Sequence, residues 1–278
     1  MQADLNLVIR PTEADKVFFS GSYGYAPTPI AVKNDKSSKN KPQKNVISRE
    51  HYMQVNVAKD HRIYLGFLDK AYGLRIPDHV AFSRSKTGLA QNDQAHGMMY
   101  HYYNQKYEMA VHLFAGNLYQ TTDLRQKGAA LTGEYEVGTK ARLGGSVLYS
   151  QNTYVKMMMS SFQFRLGFGE GASLISELGQ ISKVPLNSQS KKTMGVYNFS
   201  QAAMELVRGL NFLTTFEYFK SDISSSAANT NYRYGVGIQM FPIQRIEWRF
   251  DLVNSRILSS TTLTEDTIDF MSQVHLWF

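Results

Sequence analysis

TIDFMSQVHLWF, residues 267–278, ends the chain, and its reading decides the fold. Apolar side chains recur at every second position: Ile268, Phe270, Val274, Leu276 and Phe278. Asp269, Gln273 and His275 fill gaps between them. A period of two belongs to a β-strand with one apolar and one polar face. Chain ends are usually short polar tails that fray. Here the pattern runs to the final aromatic residue, so the last strand is expected to be held in a sheet.

The same period recurs upstream. Alternating segments cover 17–26, 49–58, 62–69, 96–103, 106–115, 128–137, 141–150, 157–168, 172–183, 193–207, 211–222, 231–240, 246–256 and 267–278, fourteen in all. No amphipathic helix of ordinary length interrupts them. The connections alternate long (27–48, 70–95, 116–127, 151–156, 184–192, 223–230, 257–266) and short (59–61, 104–105, 138–140, 169–171, 208–210, 241–245). A soluble sandwich has no reason to keep that rhythm. A transmembrane barrel does, with tight turns on the periplasmic side and longer loops outside. An even count puts residue 16 and the C-terminus on the same, tight-turn side. Residues 4–10 (DLNLVIR) also alternate. A fifteenth strand would break the parity, so residues 1–16 are assigned to a periplasmic lead-in and 17–278 to the barrel, with sixteen strands as the alternative.

Composition narrows the classes. No run approaches the 18 apolar residues of a membrane helix, but a spanning β-strand needs only about 10 alternating ones. Cysteine is absent, which excludes disulfides, thiolate metal sites and cysteine nucleophiles. The start MQADLNLVIR lacks the basic and apolar regions of a signal peptide, so an exported protein would have had its signal removed. The net charge of +7 comes in large part from Lys33–Lys44 (KNDKSSKNKPQK), read as a solvated external loop able to meet lipopolysaccharide phosphates or an acidic partner. No aromatic platform or binding motif points to nucleic acid.

Hairpin turns assign partners, and the period assigns faces. Closing the turn at 138–140 sets Glu136 beside Arg142 and Tyr135 beside Leu143. Closing the one at 104–105 sets His101 beside Glu108 and Tyr100 beside Met109. Matching Phe168 to Leu174 sets Arg165 beside Glu177. One face therefore collects paired charges. The other carries Tyr100, Met109, Val111, Tyr135, Leu143, Val147, Phe164 and Phe168. Trp248, Phe250 and Leu252 likewise alternate with Glu247, Arg249 and Asp251. In a membrane barrel the apolar face meets lipid and the ionic one surrounds the lumen; a small soluble barrel reverses this. Aromatic residues near strand ends and the absence of exposed edges in a closed sheet favour the membrane case.

The ending MSQVHLWF resembles the terminal signal of bacterial outer-membrane β-barrels: the aromatic Phe278 with Leu276 and Val274 at alternate positions before it. The internal glycine often found in that signal is replaced by Ser272 and Gln273. Length and strand number are similar to those of monomeric porins. The resemblance implies residence in the bacterial outer membrane, contact with lipid and lipopolysaccharide, and recognition of the last strand by the barrel assembly machinery.

The expected pore lining is His101, Glu108, His112, Glu136, Arg142, Arg165, Glu177, Glu217, Arg233, Glu247, Arg249 and Asp251, with Trp277, Tyr103 and Arg233 as bulky inward groups. The segment Ala71–Gln94 is too apolar for a loop in water. It is read as folding inward to narrow the lumen, with Arg75, Asp78, His79 and Arg84 as its charged residues. His79 and Ser83 are close in sequence, but no acid stands at a diagnostic spacing, and they do not match the His/Ser/Asn pattern of the outer-membrane phospholipase family. His101, His112 and Glu108 are too few and too nonspecific for a metal site. Met157–Met159 are read as wall and lipid contacts. The expectation is an all-β, antiparallel, up-and-down transmembrane barrel, without enzyme activity, metal or cofactor, passing small polar solutes or ions through a mixed-charge lumen. The first rival is a plugged structural barrel that anchors or sheathes another outer-membrane or periplasmic protein. The second is a barrel hydrolase.

Overall fold

The computed structural model describes residues 3–11, 16–30, 44–76, 81–90, 93–186, 190–259 and 262–276. The strands are β1 (Ala3–Ile9), β2 (Val17–Ile30), β3 (Lys44–Ala58), β4 (His61–Leu68), β5 (Ala95–Tyr103), β6 (Tyr107–Gly116), β7 (Lys127–Gly138) and β8 (Ala141–Gln151). They continue as β9 (Val155–Phe168), β10 (Ala172–Pro185), β11 (Thr193–Val207), β12 (Leu210–Lys220), β13 (Thr230–Ile243), β14 (Ile246–Ser259) and β15 (Thr262–Leu276). One helical turn, α1 (Phe82–Ser85), lies between β4 and β5. The strands form one sheet in chain order, and each is antiparallel to its sequence neighbour. This is the up-and-down connectivity that period-two segments joined by tight turns require.

The two faces have opposite chemistry. Along β6, Tyr107, Met109 and Leu113 are exposed, whereas Ala110, His112 and Phe114 are buried. The same alternation continues to β14, where Trp248 and Leu252 are 42% and 50% exposed and Arg249 and Asp251 only 5% each. A domain in water buries its apolar groups and exposes its charges. This sheet does the reverse over its whole convex face, as a barrel wall in hydrocarbon must. Rings gather on the convex face at the short-turn end. Tyr107 and Tyr135 lie 4.9 Å apart, and Nδ1 of His61 is 2.6 Å from the Tyr100 hydroxyl. Amphipathic rings of this kind suit the membrane–water boundary.

Several expectations change in detail. Residues 3–9 are not a lead-in: they pair with β2 from Ala3↔Tyr25 to Ile9↔Phe19, so fifteen strands are described rather than fourteen or sixteen. β1 and β15 consequently run in the same direction, and among the described residues no pair joins them. Strands also run further than their apolar pattern: β9 starts at Val155 and β15 at Thr262, which shortens two connections expected to be long.

Registers shift by two at two hairpins. Tyr103 pairs with Glu108 and His101 with Ala110, while Tyr100 meets Val111 rather than Met109. Phe168 pairs with Ala172, so Arg165 faces Ile175 and Glu177 faces Gln163. The turn at Gly169–Gly171 is tighter than expected, with both glycines at positive φ. The pairs Glu136↔Arg142 and Tyr135↔Leu143 form as read, although Gly138↔Ala141 closes that turn and Val137 bulges out. A shift of two keeps every side chain on its face.

Candidate functional site: the lumen and its inserted segment

Between β4 and β5 the chain falls back onto the concave face. Tyr72, Leu74, Ala81, Phe82 and Leu89 are buried there, packed against Phe114 of β6, Leu148 of β8, Met157 and Met159 of β9, Ile181 of β10, Tyr197 and Phe199 of β11 and Phe219 of β12. This accounts for an apolar sequence where a water-exposed loop would be polar. It also brings α1 onto β11 and β12, seven and eight strands on from β4, as a sheet curved around the segment would allow.

Buried polar groups latch the segment. The Glu177 carboxylate accepts the Leu74 backbone N–H at 2.7 Å through one oxygen and the Tyr197 hydroxyl at 2.7 Å through the other. The Tyr197 hydroxyl also lies 3.0 Å from that of Tyr72. The Gly73 N–H reaches Ser146 Oγ at 3.0 Å. Gly73 has φ +66°, and a Cβ there would enter the Glu177 carboxylate, so this close approach needs glycine. The Glu217 carboxylate accepts the Phe82 N–H and pairs with Arg233. Arg84 donates to the carbonyls of Tyr72 and Leu74, tying the segment to itself. A carboxylate out of water is tolerated only when paired and hydrogen-bonded, and both latches meet that condition. Lys70 donates to the Gly88 carbonyl at 3.2 Å, and burial lowers its ammonium pKa. Burial also pushes the Tyr72 hydroxyl up to about 12.

Arg75 is the exception within the segment. Its side chain is 71% exposed and lies 3.9 Å from Glu50 on β3. Glu50 also accepts the Asp69 N–H at 3.2 Å, which fixes the pair to the root of the segment. Towards the short-turn end the wall carries further ion pairs. Arg142 lies 3.5 Å from Glu136 and 3.9 Å from Glu108, and His101 lies 3.2 Å from Glu108. Arg165 reaches Glu134 at 3.0 Å across β8, and His275 reaches Glu247 at 3.0 Å. A cavity of about 250 Å³ opens beside Glu136, Arg142 and Arg165.

All twelve residues expected along the pore lie on the concave face, but in two groups. His101, Glu108, Glu136, Arg142, Arg165 and Glu247 keep contact with water. His112, Glu177, Glu217, Arg233, Arg249 and Asp251 are buried, with Glu177 and Glu217 sealed under the inserted segment and Arg249 bonded to Asp251 at 2.8 Å. Arg233 therefore braces Glu217 and does not protrude. Arg84, expected to add positive field, is spent on backbone carbonyls. Asp78, His79, Trp277 and Phe278 lie outside the described residues, as do residues 31–43 of the lysine-rich loop. Val274 and Leu276 stand exposed on the convex side. Among the methionines, Met157 and Met159 pack inward and Met158 faces out. Tyr72, Tyr197, Ser146, Glu50 and Glu134 are participants that sequence reading missed. An available signal was the pair of bulky inward-facing residues, Tyr197 and Phe199, on one strand. Among the described residues, no three His, Cys, Asp or Glu side chains gather as a metal site.

No protein-family model matches the chain, and no curated protein matches it. Solved structures do match. The OmpT loop L8 deletion mutant, an outer-membrane protein of Vibrio cholerae, superposes with TM-score 0.69 at 10% identity, over 99% of this chain and 90% of that one. OmpF of Salmonella typhi, in complex with daunomycin, gives 0.68 at 10%, over 99% and 89%. An anion-selective porin from Comamonas acidovorans gives 0.62 at 11%, over 98% and 87%. Together with the inverted faces, these likenesses identify the fold as the transmembrane β-barrel of Gram-negative outer membranes.

Proposed function

We propose that this outer-membrane barrel is a passive channel for small polar solutes and ions, narrowed by the segment between β4 and β5. The observation that carries the reading is the one-sided docking of that segment. It is latched to the wall of β8–β12 by Glu177, Glu217 and Ser146, and its exposed charge, Arg75, stands at the edge beside Glu50. Below it the wall is polar and half in water. Fixed charges at a narrow point set the sign of a pore's field, and charges paired along the wall weaken it. Paired charges dominate here, so the selectivity is modest and Arg75 is its main lever. Likeness to porins, one of them anion-selective, supports the same reading at the level of fold. Ser83, the hydroxyl closest to His79 in sequence, lies within α1 and is only 1% exposed, which supports a non-catalytic barrel. Lipid and lipopolysaccharide on the convex face, and the assembly machinery at the last strand, are the partners this reading carries.

The test is single-channel recording in planar bilayers. Stepwise conductance is expected, with a reversal potential in a salt gradient that moves towards cations in Arg75→Glu. Silence at every voltage, together with a stably co-purifying protein, would favour the plugged anchoring barrel instead.

A further inference from the structure

The inserted segment buries the concave aromatic residues of β6–β12: Phe114, Tyr197, Phe199 and Phe219 all lie beneath it. The concave wall of β3–β5 differs. Tyr52 (β3), Tyr64 (β4), His101 and Tyr103 (β5) stand on it half-buried, each keeping part of its ring in lumen water. They form a series, with successive centroids 5.6, 6.3 and 5.6 Å apart and interplanar angles of 66°, 41° and 31°. Tyr52 and Tyr64 pack against Leu68, Met99 and Ala110, which hold them on one side. At the lower end the Arg62 guanidinium lies 4.3 Å from the Tyr103 ring centroid and donates to its hydroxyl. Beside the rings, on the same face of β3, the Gln54 amide is bonded to that of Asn56 at 2.8 Å. Glu50 precedes Tyr52 by two positions on that face, so the series starts below the Glu50–Arg75 pair and descends to the short-turn mouth.

A lumen that only has to stay wet needs no aromatic rings. Four in sequence, flanked by amide and guanidinium planes, make a surface with apolar patches and hydrogen-bonding edges at regular intervals. A pyranose is the complementary shape. Its C–H faces lie on rings, its hydroxyls meet amides, guanidinium and phenols, and its neutrality makes it indifferent to the mixed charges of the wall. We propose that Tyr52, Tyr64, His101 and Tyr103 form a binding track for short unbranched oligosaccharides, running from the constriction to the periplasmic mouth. The proposal rests on the channel reading.

The experiment separates the two. Conductance in potassium chloride tests the channel alone; if it is absent, the channel reading fails before any sugar is added. On open channels, maltotriose and maltohexaose are titrated and current block is read. Saturable block is expected, tighter for the longer sugar. Tyr64→Ala and Tyr103→Ala should each weaken it about tenfold while salt conductance persists. Tyr64→Phe, which keeps the ring, should retain most of the affinity, and Tyr107→Ala, on the convex face, should leave it unchanged. Open channels that neither sugar blocks would overturn the track, as would block that is indifferent to both alanine variants. Block by benzoate and not by sugar would also overturn it, pointing to aromatic anions held by Arg62.

Discussion

Tyr72 is a phenol held against a second phenol and a carboxylate where water does not reach. Its proton is retained to about 12 when docked and to the ordinary 10 when the segment is released. Below pH 10 both states carry the proton and docking is unaffected. Between 10 and 12 the released state loses it first, so docking weakens with rising pH, by at most about 3 kcal/mol. Lys70 acts in the opposite sense at lower pH. Burial lowers its pKa, so docking gains as pH rises towards 10.5. Mean conductance should therefore be lowest near pH 10 and climb above it, and Tyr72→Phe should make the climb shallower. Recording from pH 8 to 12 checks this. At this scale the sequence showed that Glu177 faces inward but misassigned its partner. Charge-pair reasoning looked across the hairpin to Arg165, whereas the carboxylate is satisfied by a backbone N–H and a phenol from a distant segment. Periodicity within strands carries no information about a donor delivered from elsewhere.

The strands teach a different lesson. Hairpin registers at β5–β6 and β9–β10 were read two residues off, yet no inward residue moved outward, because a slip of two preserves the pleat. Faces are thus more legible than partners. Some partners are not even on adjacent strands. Arg165 on β9 reaches Glu134 on β7 by passing over Gly144 of β8. A Cβ at Gly144 would sit 2.5 Å from the Gly133 carbonyl oxygen, 2.7 Å from Glu134 Cγ and 3.0 Å from Gln163 Nε2, so both the backbone and the Glu134 side chain need that gap. Gly144→Val should break the pair, at about 1–3 kcal/mol of overpacking. Arg165 is 45% exposed and Glu134 is buried, so the freed charge in the lumen is positive. The reversal potential should shift towards anions, and the urea midpoint should fall; an unchanged reversal potential would show that the pair does not shape the field.

For the molecule as a whole, the distribution of apolar surface was the most legible property, since it follows from period two alone. Strand number was not, because a parity rule overrode the local alternation of residues 3–9. The convex face predicts how the barrel responds to charge. Leu252→Arg, at an exposed convex position, should lower stability in vesicles by about 2–4 kcal/mol if it lies near the bilayer midplane, as read by urea titration, while Leu252→Thr should cost less. The latches have a further meaning in time. Leu74 meets Glu177, and Phe82 meets Glu217, across 103 and 135 positions of chain. Loop closure over such separations comes after local hairpins have formed. The stretch that narrows the passage therefore has nowhere to settle until the distant wall of β10–β12 stands beside it, and the bore takes its final width only after the hairpins around it exist.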